Sequence, residues 1–153
     1  IRVAASALTG GKYRDLDEPG LSQHAARKAY KMAGVGPGDI DVAELHDATS
    51  FCEIYQSEMM GFCDIGEGGR LIESGATMLD GRLPINTSGG LVSKGHPVGA
   101  TGLSMIDELS QQLRGEAGAR QVNGAEWALA ENGGGVIGFD EAACAVTLLH
   151  KDR

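Results

Sequence analysis

A chain of 153 residues, 42% hydrophobic and 22% charged, is long enough for one domain with a sizeable core and has an ordinary globular composition. Its formal net charge of −8 excludes a nucleic-acid surface built on a basic patch. No apolar run approaches the roughly 20 residues that a membrane-spanning helix needs. Cys52, Cys63 and Cys144 are odd in number and lack CxxC spacing, which predicts no disulfide frame, no zinc site and a reducing cytoplasm. The chain opens on Ile1 without a signal-peptide pattern, so it is expected to start inside a longer protein or after removal of an upstream segment.

In chain order, residues 1–9 form an apolar run closed by Gly10-Gly11, which predicts a buried strand. A polar loop reaches Pro19-Gly20. Leu21, Ala25, Ala29, Met32 and Ala33 share one side of a helix over residues 21–33, with Gly34 placed as its C-terminal cap. Residues 40–45 predict a second strand. Ser50 and Glu53 have capping-box spacing at the start of a helix that runs to Met59. Residues 63–80 are rich in Gly and Glu and predict an irregular surface crossing. Residues 83–86 predict a third strand, and Leu103, Ile106, Leu109 and Leu113 a helix to about Arg114. Residues 127–130 predict a fourth strand, which runs into a Glu131–Gly135 turn, and residues 142–150 a fifth. Strand-helix-strand-helix-strand-helix-strand-strand is an α/β order, and its alternating part predicts mainly parallel pairing.

Three chemically unusual segments follow predicted strands, where open α/β sheets gather ligands. The first is His46-Asp47, at a strand-to-helix junction. The second spans residues 86–102 and carries His96 between Gly95 and Pro97. Pro97 stiffens that turn, and glycines at 89, 90, 95, 99 and 102 permit close packing and positive φ. His96 suits a general base toward a thiol or an oxyanion donor, and His46 a carbonyl contact. The third is Glu131-Asn132-Gly133-Gly134-Gly135, where the glycines offer backbone donors and Glu131 a base if burial raises its pKa. The plainer readings are a tight connection, a helix-start Asp47 and a solvated Glu131. Cys52 sits in a first helical turn, Cys144 in a strand, and Lys94 near the His96 loop.

Asn-x-Ser-Gly-Gly followed by Gly-His-Pro-x-Gly-Ala-x-Gly resembles the thiolase family, most closely the branch of sterol-carrier-protein thiolases and bacterial thiolase-like acyl-CoA proteins. His46-Asp47-Ala48-Thr49 resembles that branch's His-Asp-Cys-Phe motif, and Glu131–Gly135 stands at the family's Cys-x-Gly-x-Gly motif. The resemblance implies a thiolase-like fold with a mixed sheet. Residues 1–153 would be its C-terminal half, with the N-terminal half absent. It implies reversible Claisen chemistry on acyl-CoA, with the thioester as substrate and no resident cofactor or metal. His96 and His46 would be catalytic, with Glu131 as a substitute acid/base. Gly134 and Gly133 would serve an oxyanion, and Asn86, Ser88, Gly89 and Gly95 would line the substrate site.

The implied partners are CoA esters, the N-terminal half, a second copy in a homodimer and a small OB-fold/zinc-ribbon protein. Two departures stand out. The acylated cysteine belongs to the N-terminal half, and the acid/base cysteine is replaced by Ala48 and Glu131 at its two family positions. The alternatives are a non-catalytic subunit that binds acyl-CoA or scaffolds a complex, or a redirected reaction such as hydrolysis or retro-aldol cleavage. Related aldolases usually carry tyrosines where this chain has its two histidines, which weighs against the retro-aldol alternative.

Overall fold

A computed structural model describes residues 1–152. Its strands are β1 (Arg2–Gly10), β2 (Val42–Glu44), β3 (Trp127–Gly134) and β4 (Ala143–His150). Its helices are α1 (Leu21–Ala33), α2 (Ser50–Met59), α3 (Gly68–Glu73), α4 (Gly90–Lys94) and α5 (Thr101–Arg114). The sheet order is β1-β4-β3-β2.

The sheet is mixed. β4 pairs antiparallel with both β1 and β3, and only β2 and β3 are parallel. The mainly parallel expectation fails because the last two strands follow each other without an intervening helix, and such neighbours pair antiparallel. The expected strand over 83–86 contracts to a single parallel bridge between Ile85 and Ala43.

Two helices cover the two faces. Ala25, Ala26, Ala29 and Tyr30 of α1 pack in one buried cluster with Ala5, Ala7, Leu129, Val146 and Leu148. Met105, Leu109 and Leu113 of α5 form a second cluster with Val42, Ala128, Ala130 and Leu149. Alternation along β3 therefore sends residues 128 and 130 toward α5 and residue 129 toward α1, as strand geometry requires.

Local chemistry explains the helix ends. Gly34 closes α1 in the left-handed region at φ 74° and donates its N–H to Tyr30 O. The expected capping box of α2 does not form. Thr49 is the N-cap residue, Ser50 is already helical, and the Glu53 carboxylate instead accepts from Asn86 Nδ2 at 3.0 Å. Residues 63–80 are not wholly irregular, since α3 lies within them.

Candidate active site

β2, the Ile85 bridge and β3 run in the same direction, so all three end at one edge of the fold. His46 leaves the end of β2, α4 and the His96 turn follow the bridge, and Asn132 to Gly134 form the end of β3. The three segments singled out in the sequence do converge.

The His46 and His96 rings meet edge to face, with centroids 4.9 Å apart and planes at 87°. His46 is half-buried and His96 exposed. Burial, and then the nearby His96, lower the His46 pKa, against an opposing pull from Asp47. Asn132 Nδ2 lies 2.9 Å from His46 Nδ1 and 3.5 Å from Met105 Sδ. His96 Nδ1 lies 2.7 Å from Thr101 Oγ1, and the Thr101 hydroxyl reaches Pro97 O at 3.2 Å. Gly95 precedes His96 at φ 98°, a region that a side chain rarely enters.

Buried carboxylates hold the loops that carry these rings. Asp47 Oδ1 accepts Leu91 N at 2.6 Å, at the start of α4. Gly90 must be glycine there, because a Cβ would strike the Asp47 carboxylate and φ is 63°. Glu44, fully buried, accepts the Ser88 N–H at 3.1 Å and the Ser88 hydroxyl at 2.6 Å. Lys94 Nζ donates to Ser88 Oγ at 2.6 Å and to Glu44 at 3.4 Å. Burial raises the Glu44 pKa, and Ser88 and Lys94 pull it back down. Asn86, at φ 55°, accepts Leu45 N at 2.8 Å and donates to Glu53. Asn86 and Ser88 thus use their side chains on the protein's own interior. Gly89, at φ 99°, starts the α4 turn, and residues 92–100 are exposed throughout.

Glu131 differs from its expected setting. It lies in β3, fully buried, and not on a solvated turn. Its Oε2 accepts the backbone N–H of His46 at 3.0 Å, and its Oε1 accepts the Cys144 S–H at 3.3 Å. Desolvation pushes its pKa up to about 7. Glu141, lodged where a Gly133 Cβ would stand, is pushed up to about 8 by burial and by the neighbouring Glu131. Burial and the two carboxylates raise the Cys144 thiol as well. Ligand atoms of Glu131, Glu141 and Cys144 lie within 4.8 Å of one another. All three are biased toward their protonated forms, which weakens them as metal ligands.

Asn132 is the residue that sequence reasoning passed over. Adjacent strand residues face opposite ways, so Glu131 turns toward Cys144 while Asn132 turns toward the rings and Met105. Gly133 is buried beside Glu141, and Gly134 is exposed at the strand end.

Residues 10–147 match the family model described as thiolase C-terminal domain-like. The chain belongs to this family. It is 48% identical over 143 residues to an acetyl-CoA acetyltransferase of Methanothermobacter thermautotrophicus, covering 90% of this chain and 37% of that protein. It is 51% identical over 132 residues to sterol carrier protein 2 of Rattus norvegicus, covering 80% of this chain and 24% of that protein. It is 34% identical over 126 residues to benzoylsuccinyl-CoA thiolase subunit BbsB of Thauera aromatica, covering 80% and 33%. The chain therefore spans well under half the length of these relatives. A solved structure described as an Ltp2-ChsH2(DUF35) aldolase superposes with a TM-score of 0.82 at 25% identity, covering 97% of this chain and 39% of that one. No helix among the described residues of this thiolase domain is long and apolar enough to cross a membrane.

Proposed function

We propose that this thiolase domain is the C-terminal half of an acyltransferase that makes and breaks carbon–carbon bonds in acyl-CoA thioesters. The observation that carries the reading is the edge-to-face pair of His46 and His96 at the end of the parallel strands. The nucleophilic cysteine comes from the N-terminal half. His96 takes its thiol proton, which generates the thiolate that attacks the acyl carbonyl. His46 Nε2–H supports one thioester oxygen, and the backbone around Gly133 and Gly134 supports the second oxyanion. Glu131 serves as the brace of His46, because its carboxylate meets the histidine's backbone and Cys144. Gly89 and Gly95 shape the exposed loop that meets substrate. The substrate is the CoA thioester itself, with no resident cofactor, and the setting is a cytoplasmic homodimer.

The deciding experiment is thiolysis of a 3-oxoacyl-CoA by this chain alone and by the protein with its upstream segment. Activity confined to the longer form supports a divided active site. Full activity in an intact His96→Ala variant rules out the assigned role.

A second reading is a non-catalytic thiolase-fold subunit that binds acyl-CoA or scaffolds a complex. Ala48 at the expected cysteine position motivates it. The names of two similar proteins, one a thiolase subunit and one an aldolase with a DUF35 component, also point to hetero-complexes. An OB-fold/zinc-ribbon protein is the partner to test by co-purification. Turnover by the intact protein without any partner counts against this reading.

A further inference from the structure

Making or breaking a carbon–carbon bond beside a thioester needs a proton transfer at Cα, besides the one that frees the attacking thiol. The carboxylates around the rings are already engaged. Glu131 is fully buried, with one oxygen on His46 N and the other on the Cys144 S–H. Asp47 is buried and holds Leu91 N, and Glu53 holds the Asn86 amide. Glu44 is paired with Ser88 and Lys94. His46-Asp47-Ala48 and Glu131-Asn132-Gly133 bring no thiol to the rings. Cys52 Sγ lies 3.2 Å from Thr49 Oγ1 instead. The choice falls on the two imidazoles.

The two rings are not equivalent. Asn132 places one polar atom 2.9 Å from His46 Nδ1 and 3.5 Å from the Met105 thioether. A thioether only accepts, so that atom is the amide nitrogen and Asn132 donates to both. His46 Nδ1 then accepts, and the neutral ring carries its proton on Nε2. It could give up that proton only by becoming an imidazolate anion, so it donates hydrogen bonds and not protons. On the other ring, the Thr101 hydroxyl proton goes to Pro97 O, so Thr101 Oγ1 accepts from His96 Nδ1–H. His96 Nε2 is left with a lone pair. Burial, and then charge on His96, lower the His46 pKa against the pull of Asp47, so a proton arriving at the pair goes to His96.

We propose that His96 Nε2 moves every proton of the reaction, at Cα as well as at sulfur, and that Asn132 and Thr101 are the positioning residues that reserve it for this work. The proposal rests on the acyltransferase reading, with its cysteine nucleophile in the upstream half. The steps balance with one base. In thiolysis His96 takes the cysteine thiol proton, and the thiolate sulfur bonds to the 3-keto carbon. The C2–C3 bond breaks, and its electron pair moves onto C2 as a thioester enolate. The His96 imidazolium gives its proton to C2, which completes acetyl-CoA. His96 then takes the proton of the CoA thiol, and the CoA sulfur bonds to the acyl carbon. The cysteine leaves as a thiolate and recovers its proton from His96. His46 Nε2–H bonds the enolate oxygen and stays neutral.

The test uses the intact protein with its upstream segment and two readouts. Exchange of the C2 hydrogens of acetyl-CoA with D2O reports proton transfer at carbon. Thiolysis of acetoacetyl-CoA with free CoA reports the whole reaction. His96→Ala is expected to slow both at least about 100-fold. Thr101→Val lets the His96 proton move to Nε2 and slows exchange about tenfold, and Thr101→Ser restores it. Asn132→Asp draws the His46 proton onto Nδ1 and slows exchange about tenfold. Isotope-edited imidazole NMR spectra show His46 protonated on Nε2 and His96 on Nδ1, switched by Asn132→Asp and Thr101→Val respectively. Exchange that survives His96→Ala while thiolysis is lost means that another group works at carbon. That result overturns this proposal and leaves the acyltransferase reading standing. Wild-type protein active in neither assay overturns both. Protonation of both rings on Nε2 also overturns the proposal, because the pair then has no base.

Discussion

Asn132 donates to the His46 ring at 2.9 Å, while its strand neighbour Glu131 accepts the backbone N–H of the same histidine at 3.0 Å. Two consecutive residues on opposite faces of β3 thus fix one histidine, one setting its ring and the other its main chain. Placement and tautomer are therefore separable by mutation.

Glu131 makes stability fall with rising pH. Its folded pKa of about 7 lies above the ordinary 4.5, so the folded chain holds a proton that the unfolded chain has already lost. The stabilisation is full below the unfolded pKa and is lost as pH rises through the folded one. Burial raises Glu141 in the same direction. For Glu131 the lost term is on the order of 3 kcal/mol. Glu131→Gln keeps an acceptor for His46 N and removes the titration. Thermal melts of the wild type should drop between about pH 5 and pH 8, and those of the variant should drop less.

Gly90→Ala places a methyl group against the Asp47 carboxylate at a positive φ. It should cost about 2 to 3 kcal/mol, read as a lower urea midpoint. It should also loosen the α4 start, since the Asp47 bond to Leu91 N is the one displaced.

Lys94→Met leaves the buried Glu44 facing Ser88 alone. Because Lys94 is partly solvated, the expected loss is about 2 kcal/mol, below the range for a fully buried pair. Adding Glu44→Gln to Lys94→Met should recover part of it, which a double-mutant cycle in urea measures.

His46 should be less than half protonated at a pH where a free imidazole is half protonated, because burial and His96 both lower its pKa against the opposing pull of Asp47. An NMR titration should place its midpoint below the ordinary 6.5. His96→Ala removes the second of these effects, so the His46 midpoint should rise. In the intact protein the same variant should slow turnover at least about 100-fold.

The helices were readable because their apolar spacing and glycine stops are local. The spacing of Leu21, Ala25 and Ala29 with Gly34 gave α1 its observed bounds. Sheet order was not readable, because the pairing of β1 with β4 joins residues up to 148 positions apart in sequence, such as Arg2 with His150. Of the site, the meeting of His46 and His96 was legible from two strand ends. Asn132 was not, because Asn before glycines reads as a turn. The signal was nonetheless present: continuing the two-residue period from Ala128 and Ala130 puts Asn132 on the α5 side. Glu53 misled because its capping spacing is real, yet the long-range amide of Asn86 claims its carboxylate.

Glu44, Asp47 and Glu131 each grip a main-chain N–H of the loops that carry the rings, at Ser88, Leu91 and His46. The frame of the histidine pair is thus built from the inside. Ala48, Thr49, Ser93 and Val98, on the outer side of the same loops, are exposed. Selection can therefore retune what the loops touch, by point changes at these outward positions, without altering the spacing of the two imidazoles.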